Sequence, residues 1–424
     1  MSVNPSTEQA IQPVEDATQH LNLPQQVVAG SQMLFVAFGA LVLMPLITGL
    51  DPNVALFTAG IGTLLFQWVT KGQVPIFLAS SFAFIAPIAY GIQTWGIPAT
   101  MSGLFAAGVV YMLMSYAVKL RGVEFIHRLL PPVVVGPVIM VIGLGLAPVA
   151  VNMALGKTGD ASAILMDQDT AMIISFASLI TTLLVSTLAR GIFKLVPIFC
   201  GVLVGYVLSL GFGVLDFSPI ANAAWLSVPN FVAPEWNWHA VLFMIPVAIA
   251  PAVEHVGDIL AISNVTGKDY LKKPGLHRTL FGDGIATSAA SLFGGPPNTT
   301  YSEVTGAVML TRNFNPKIMM WAAVIAILLA FVGKFGAVLQ TIPGAVMGGI
   351  MMLLFGTIAS VGLNTMIRHR VDLSKPRNMC IVSVTLVFGI GGMALGIGSF
   401  SLQGVSLCGI VAILLNLLLP RHRL

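Results

Sequence analysis

The stretch FGGPPNTTYSEVTG, Phe293–Gly306, decides how this chain must fold. Gly294, Gly295, Pro296 and Pro297 stand together in it, and such a cluster stops a helix rather than merely bending it. Asn298, Thr299 and Thr300 then suit extended backbone, and a helix-like run resumes only after Tyr301. Apolar sequence flanks the stretch on both sides. The reading is an extended segment followed by a half-helix, set inside a membrane span. A second stretch follows the same plan: VPIFLASSFAFIAP, Val74–Pro87, has a proline, a β-branched and aromatic run, Ser80-Ser81, and then a helix-like run. Ser80 or Ser81, and Thr300 or Ser302, are the expected N-caps of the two half-helices. Phe82 and Glu303 lie 303 − 82 = 221 positions apart, close to half of the 424 residues.

The composition sets the medium. Hydrophobic residues make up 56% and charged residues 8% of the chain, whereas a soluble domain carries about 25% charged residues. The chain is therefore expected to be an all-α polytopic membrane protein. Its net charge of +4 is scattered through short loops, which argues against nucleic acid as a partner. Cys200, Cys380 and Cys408 lie in apolar runs at no metal-ligand spacing and read as packing residues. Residues 1–24 are polar, without Lys or Arg, and read as a cytoplasmic N-terminal tail rather than a cleavable signal.

A span needs about 20 apolar residues. Fourteen are expected, near 25–49, 52–70, 74–94, 98–118, 130–153, 170–189, 194–214, 239–264, 277–295, 297–312, 317–334, 338–364, 377–397 and 401–420. With both termini in the cytoplasm, 18 of the 20 basic residues fall in inside loops, among them Lys71, Lys119, Arg128, Arg278, Arg368, Arg421 and Arg423. Only Lys157 and Lys334 fall outside, and a miscounted span would scramble this bias. Fourteen spans divide as seven plus seven. An odd number per half makes the second half enter from the opposite side, as an inverted repeat. Both interrupted stretches then occupy the third span of their half, which is the best sequence pointer to a transport site.

Three carboxylates sit at membrane depth. Glu254 and Asp258 lie in HAVLFMIPVAIAPAVEHVGDILAIS, His239–Ser263, and Glu303 lies at the start of the second half-helix. An ionisable group there costs about 2.5–3.5 kcal/mol on insertion scales, so it faces a cavity, a partner or a substrate. Glu254 and Asp258 are four residues apart and share a helix face. Their charges repel in a medium of low dielectric, so the two act as a unit suited to taking up and releasing a proton. The competing readings are a polar network between helices for that pair and a helix cap for Glu303. His255 points about 100° away from Glu254 around the helix and reads as packing or support for the site. Asp283, in FGDGIATSAAS, reads first as a cap of the ninth span and second as a partner of Glu254 and Asp258. A metal centre of Glu254, His255 and Asp258 would lack the HExxH spacing.

The expected site offers two carboxylate acceptors, Glu254 and Glu303. Backbone donors stand near Phe82 and Ser302, and Phe82 and Tyr301 supply aromatic faces. It offers no Lys or Arg, so an anion would lack a counter-charge. A flat neutral ring alternating N–H donors with carbonyl acceptors fits, and uracil has that edge. Stacking on Phe82 would add about 1 kcal/mol.

At these residues the chain resembles the nucleobase–ascorbate transporter family, over about residues 24–420. The resemblance rests on SSFAFI (Ser80–Ile85), AVEHVGD (Ala252–Asp258), GLHR (Gly275–Arg278) and PNTTYSEVTGAVMLTR (Pro297–Arg312). It implies short antiparallel β-strands in the interrupted spans 3 and 10. It also implies a core domain of residues 25–120 and 239–337 and a gate domain of 121–238 and 338–420. Glu254 and Glu303 would bind a pyrimidine, with Ser81, Phe82, Tyr301 and Ser302 around it, and Glu254 with Asp258 would carry a coupling proton. His255 and Asp283 would support them from behind. The implied activity is proton-coupled uracil uptake across a bacterial inner membrane by an elevator-like movement in a homodimer, without cofactor or metal. A xanthine or purine permease is the alternative within the family, and a membrane-embedded metalloenzyme the alternative outside it. The chain departs from the family pattern at Val304, where Asn is usual, and at Met33, where the family has His after Gln32. It also has Asp258 where close uracil permeases carry a second His.

Overall fold

A computed structural model describes residues 21–122, 124, 130–397 and 400–420. The expected tail up to residue 20 and the basic residues Arg128, Arg421 and Arg423 lie outside the described residues. The first half contains α1 (Leu23–Thr48), α2 (Pro52–Val69), strand β1 (Leu78–Ser80), a single 3-10 turn (Phe82–Phe84) and α3 (Ile85–Arg121). It continues with α4 (Pro132–Gly145), α5 (Ala147–Ala154), α6 (Gln168–Leu188), α7 (Pro197–Gly211) and the short α8 (Ser218–Asn222). The second half contains α9 (Trp238–Met244), α10 (Ile249–Thr266), α11 (Leu276–Leu292), β2 (Asn298–Thr300) and α12 (Ser302–Thr311). It ends with α13 (Pro316–Ala330), α14 (Gly333–Gln340), α15 (Gly344–Arg368), α16 (Pro376–Ile390), the hairpin β3 (Ala394–Ile397) and β4 (Phe400–Gln403), and α17 (Gly404–Leu418).

These elements make fourteen membrane segments in two sets of seven. α3 covers two segments, because Gly96 at φ 83° with Pro98 just beyond it breaks the helix in the middle. α4 with α5, and α9 with α10, each form one segment across a local irregularity. Six helical stretches of the described residues are long and apolar enough to cross a bilayer, and five shorter apolar ones add to them. α10, α11 and α12 belong to neither group of apolar helices, and they carry Glu254, His255, Asp258, Asp283 and Glu303.

The interrupted spans meet each other. β1 pairs antiparallel with β2, Leu78 opposite Thr300, Ala79 opposite Thr299 and Ser80 opposite Asn298. Equivalent segments of an inverted repeat approach from opposite sides, so antiparallel pairing is the geometry they must adopt. Backbone polar groups at this depth need partners within the protein. On the β1 side, Leu78 N–H donates to Thr63 Oγ1 at 2.9 Å, and Gln67 Nε2 donates to the carbonyls of Val74 at 2.8 Å and Ile76 at 3.0 Å. On the β2 side, Thr287 Oγ1 donates to the Asn298 carbonyl at 2.8 Å. Asn298 Nδ2 donates to the Thr58 carbonyl at 2.9 Å. α2 and α11 thus perform the same service in the two halves.

The expected caps form differently. Ser81 stands at the cap position before the Phe82–Phe84 turn but makes no side-chain cap bond. Tyr301 precedes α12, also without a cap bond, because Thr300 is held in the strand and Ser302 is the first helical residue.

α1, α2, α3, α9, α11 and α13 pack together, and α4 to α7 pack with α15 to α17 as a second group. Bare glycines allow the closest approaches. A Cβ on Gly284 of α11 would lie 2.8 Å from the Gly108 carbonyl oxygen of α3. In the second group, a Cβ on Gly136 of α4 would lie 2.9 Å from the Gly362 carbonyl oxygen of α15. The expected spans at 377–397 and 401–420 need one correction: the chain leaves the helix after Ile390 and forms the β3–β4 hairpin before α17. Gly391 and Gly392, the latter at φ 71°, end the helix there. The expected span 338–364 is shifted to 344–368, because Pro343 sets its start.

Candidate functional site

A cavity of about 660 Å³ lies between the two helix groups. One wall is built from the Phe82 turn, α10 and the β2–α12 junction, and supplies Phe82, Glu254, Asp258, Thr300, Tyr301 and Glu303. The opposite wall is largely apolar, with Val135, Ile139 and Ile142 of α4 and Ile358 and Val361 of α15. Lining residues run along α10 from Glu254 to Asn264, and along α15 from Thr357 to Arg368. Ten residues of helix cover about 15 Å. The cavity therefore leads from mid-membrane to the face that carries Arg368 and His369, and its deep end holds carboxylates and no cation.

The two half-helices start at this deep end. A helix leaves the N–H groups of its first turn without carbonyl partners inside the helix, and neither start is capped by a side chain. Phe82 is half-buried and its ring meets Tyr301 edge-on, centroids 6.2 Å apart. Glu303 is exposed in a cavity-lining position one residue into α12, where the helix dipole favours an anion. Glu254 is partly exposed and lines the same space one turn before Asp258. The fold thus brings together Phe82, Glu254, Asp258, Tyr301 and Glu303.

Ser81, His255 and Asp283 stand back from the cavity. Ser81 is buried, and its hydroxyl has no hydrogen-bond partner. Ser302 is the first residue of α12. His255 is fully buried behind the wall. Asp283 does not cap a helix, because α11 starts at Leu276 and leaves Asp283 in the helix interior, 1% exposed. Its carboxylate instead sits 2.9 Å from His255 Nδ1.

A hydrogen-bonded chain joins these buried groups to the cavity. Thr300 Oγ1 donates to Asp258 Oδ2 at 2.9 Å and lies 3.3 Å from His255 Nδ1. Thr279 Oγ1 donates to the Leu276 carbonyl and can therefore accept from His255 Nε2, 2.9 Å away. Thr299 Oγ1 and Thr300 N–H both point to the same Asp283 oxygen, at 3.3 Å and 3.4 Å. Sequence reasoning missed Thr279, Thr299 and Thr300 as members of this network. A periodicity argument could have found Thr279, which lies four residues before Asp283 on the same helix face. No group of three or more metal-ligating side chains occurs among the described residues.

Comparisons with known proteins agree with this architecture. A family model described as a permease family matches residues 24–398. The "Probable uracil permease" of Haemophilus influenzae is 63% identical, covering 94% of this chain and 95% of that protein. The "Uracil permease" of Bacillus caldolyticus is 46% identical, covering 96% and 95%. Among solved structures, the transmembrane domain of a cyanobacterial bicarbonate transporter superposes with a TM-score of 0.68 at 13% identity, covering 96% of this chain and all of that one. At that identity the likeness concerns the fold alone.

Proposed function

The chain belongs to the nucleobase–ascorbate transporter family of permeases, and from that premise we propose that it imports uracil together with protons across a bacterial inner membrane. The observation that carries the substrate is the deep end of the cavity, where Glu254 and Glu303 line one space with Phe82 and Tyr301 and no cation. The carboxylates accept from the two ring N–H groups. The backbone N–H groups that open the Phe82 turn and α12 donate to the ring carbonyls, and Phe82 covers one face. Ser81 supports the turn from behind, and Ser302 contributes its backbone. The names of the two relatives support a pyrimidine over a purine.

The proton belongs to Glu254 and Asp258, with His255 and Asp283 as support. The chain from Asp258 through Thr300 to His255 and Asp283 lets a charge change at the cavity be answered in the interior. The energy source is the proton gradient, and no cofactor or metal takes part. The core comprises residues 25–120 and 239–337 and the gate 121–238 and 338–420, in an arrangement suited to sliding, because the cavity lies between the two helix groups. The positive-inside bias puts both termini and the Arg368 face in the cytoplasm, so the cavity faces inward. Members of one family often pair, and a homodimer is part of the same reading.

Uptake of radiolabelled uracil into proteoliposomes tests this. The expected result is uptake driven by an inward proton gradient, competed by thymine more than by xanthine. Uptake indifferent to a protonophore would remove the coupling, and stronger competition by xanthine would reassign the substrate.

A further inference from the structure

We propose that a groove on the outer side of α2, α3 and α11 binds an anionic phospholipid. The groove encloses about 1100 Å³ and shares no lining residue with the uracil cavity. Lys71, Lys119 and Arg278 line it, and no acidic side chain does. Among the described residues, no salt bridge to a carboxylate involves Lys71, Lys119 or Arg278.

Local structure explains why they converge. α2 ends at Val69, and Lys71 turns the chain in the left-handed region at φ 58°. Lys119 lies in the last turn of α3, and Arg278 in the first turn of α11. Ser115 Oγ donates to the His277 carbonyl and ties α3 to α11 beneath the cations. All three cations fall on the face that the charge pattern assigns to the cytoplasm; the choice of leaflet, and nothing else, rests on the topology proposed above.

The rest of the lining is apolar or aromatic. Trp68 is 75% exposed and Tyr116 60%, and Leu64, Met112 and Phe281 lie alongside. Trp and Tyr at such a position match the headgroup level of a bilayer. A free anion would satisfy the cations but leave the apolar wall uncovered. A neutral amphiphile would cover the wall but leave three cations unmatched. An anionic phospholipid does both, its phosphate among the basic side chains and its acyl chains along Leu64, Met112 and Phe281. Basic pockets between spans on the cytoplasmic side hold such headgroups in the same way.

Native mass spectrometry of the full-length protein in detergent provides the test. Phosphatidylglycerol is titrated, with phosphatidylcholine as the neutral counterpart and inorganic phosphate as competitor. The expected result is one tight phosphatidylglycerol site that prefers this lipid over phosphatidylcholine and survives millimolar phosphate. The double variant Lys119→Gln/Arg278→Gln should weaken it about tenfold or more. Lys317→Gln, a basic residue of the same face outside the groove, should not. Equal binding of both lipids, displacement by phosphate, or an unaltered double variant would each overturn the proposal. Photo-crosslinking of a photoactivatable phosphatidylglycerol to the wild-type chain needs no variant. Labels on 64–72, 112–119 or 277–281 support the site, and labels confined to other segments overturn it. None of these readouts depends on uracil.

Discussion

At the scale of single residues, the account rests on which carboxylates meet the cavity. Glu254 and Glu303 both line it, from α10 and α12. A hydrogen bond to a charged group is worth about 1.5–3 kcal/mol, so Glu254→Gln and Glu303→Gln should each weaken uracil binding by about tenfold to over a hundredfold. Isothermal titration of purified protein measures this, and two variants that bind as well as the parent would dismiss the site. A second prediction concerns the loop between α5 and α6. Hydrogen bonds from the Thr158 and Ser162 hydroxyls and the Ser162 N–H hold the Asp160 carboxyl down at about 2. A carboxyl lowered in the folded state contributes stability that is fully present above the ordinary carboxylate range and is lost as pH falls from that range through the lowered value. Carboxyl NMR should therefore show Asp160 titrating near 2, and Thr158→Val should move the midpoint back up toward 3.8.

At the scale of elements, the interrupted spans depend on the helices beside them. Thr63→Val removes the acceptor of the Leu78 N–H, a buried group with no water to replace it. The cost is about 1–3 kcal/mol, read as a lower thermal midpoint; an unchanged midpoint would show that β1 finds another partner. This is also where the sequence was most and least legible. Pro296, Pro297 and the two glycines before them announced the break, and Ser80-Ser81 its counterpart, because helix-stopping residues act locally. Thr63, Gln67 and Thr287 announced nothing, since a Thr or Gln in a span bonds its own helix as readily as a neighbour. Asp283 was read as a cap for the same reason: its partner, His255, is 28 positions away in the chain (283 − 255) and meets it only after folding. The β3–β4 hairpin was not legible because Ala394–Gln403 carries no charged residue and its Leu395, Ile397, Phe400 and Leu402 continue the apolar run between the helices on either side.

At the scale of the whole molecule, two helix groups enclose one cavity that leads to the face of Arg368. Asn264 stands in the wall of its outer part. In a background where Cys200, Cys380 and Cys408 are replaced, Asn264→Cys should react with a membrane-impermeant thiol reagent in inside-out vesicles. In right-side-out cells it should not, and uracil should slow the reaction. Labelling only from outside would invert the topology. The central claim, that two acids from different segments close on one uncharged ring, is tested most directly by a cryo-electron microscopy map of the protein with uracil. The account predicts density beside Phe82, within hydrogen-bonding reach of both Glu254 and Glu303. Ligand density elsewhere, or touching neither carboxylate, would contradict it.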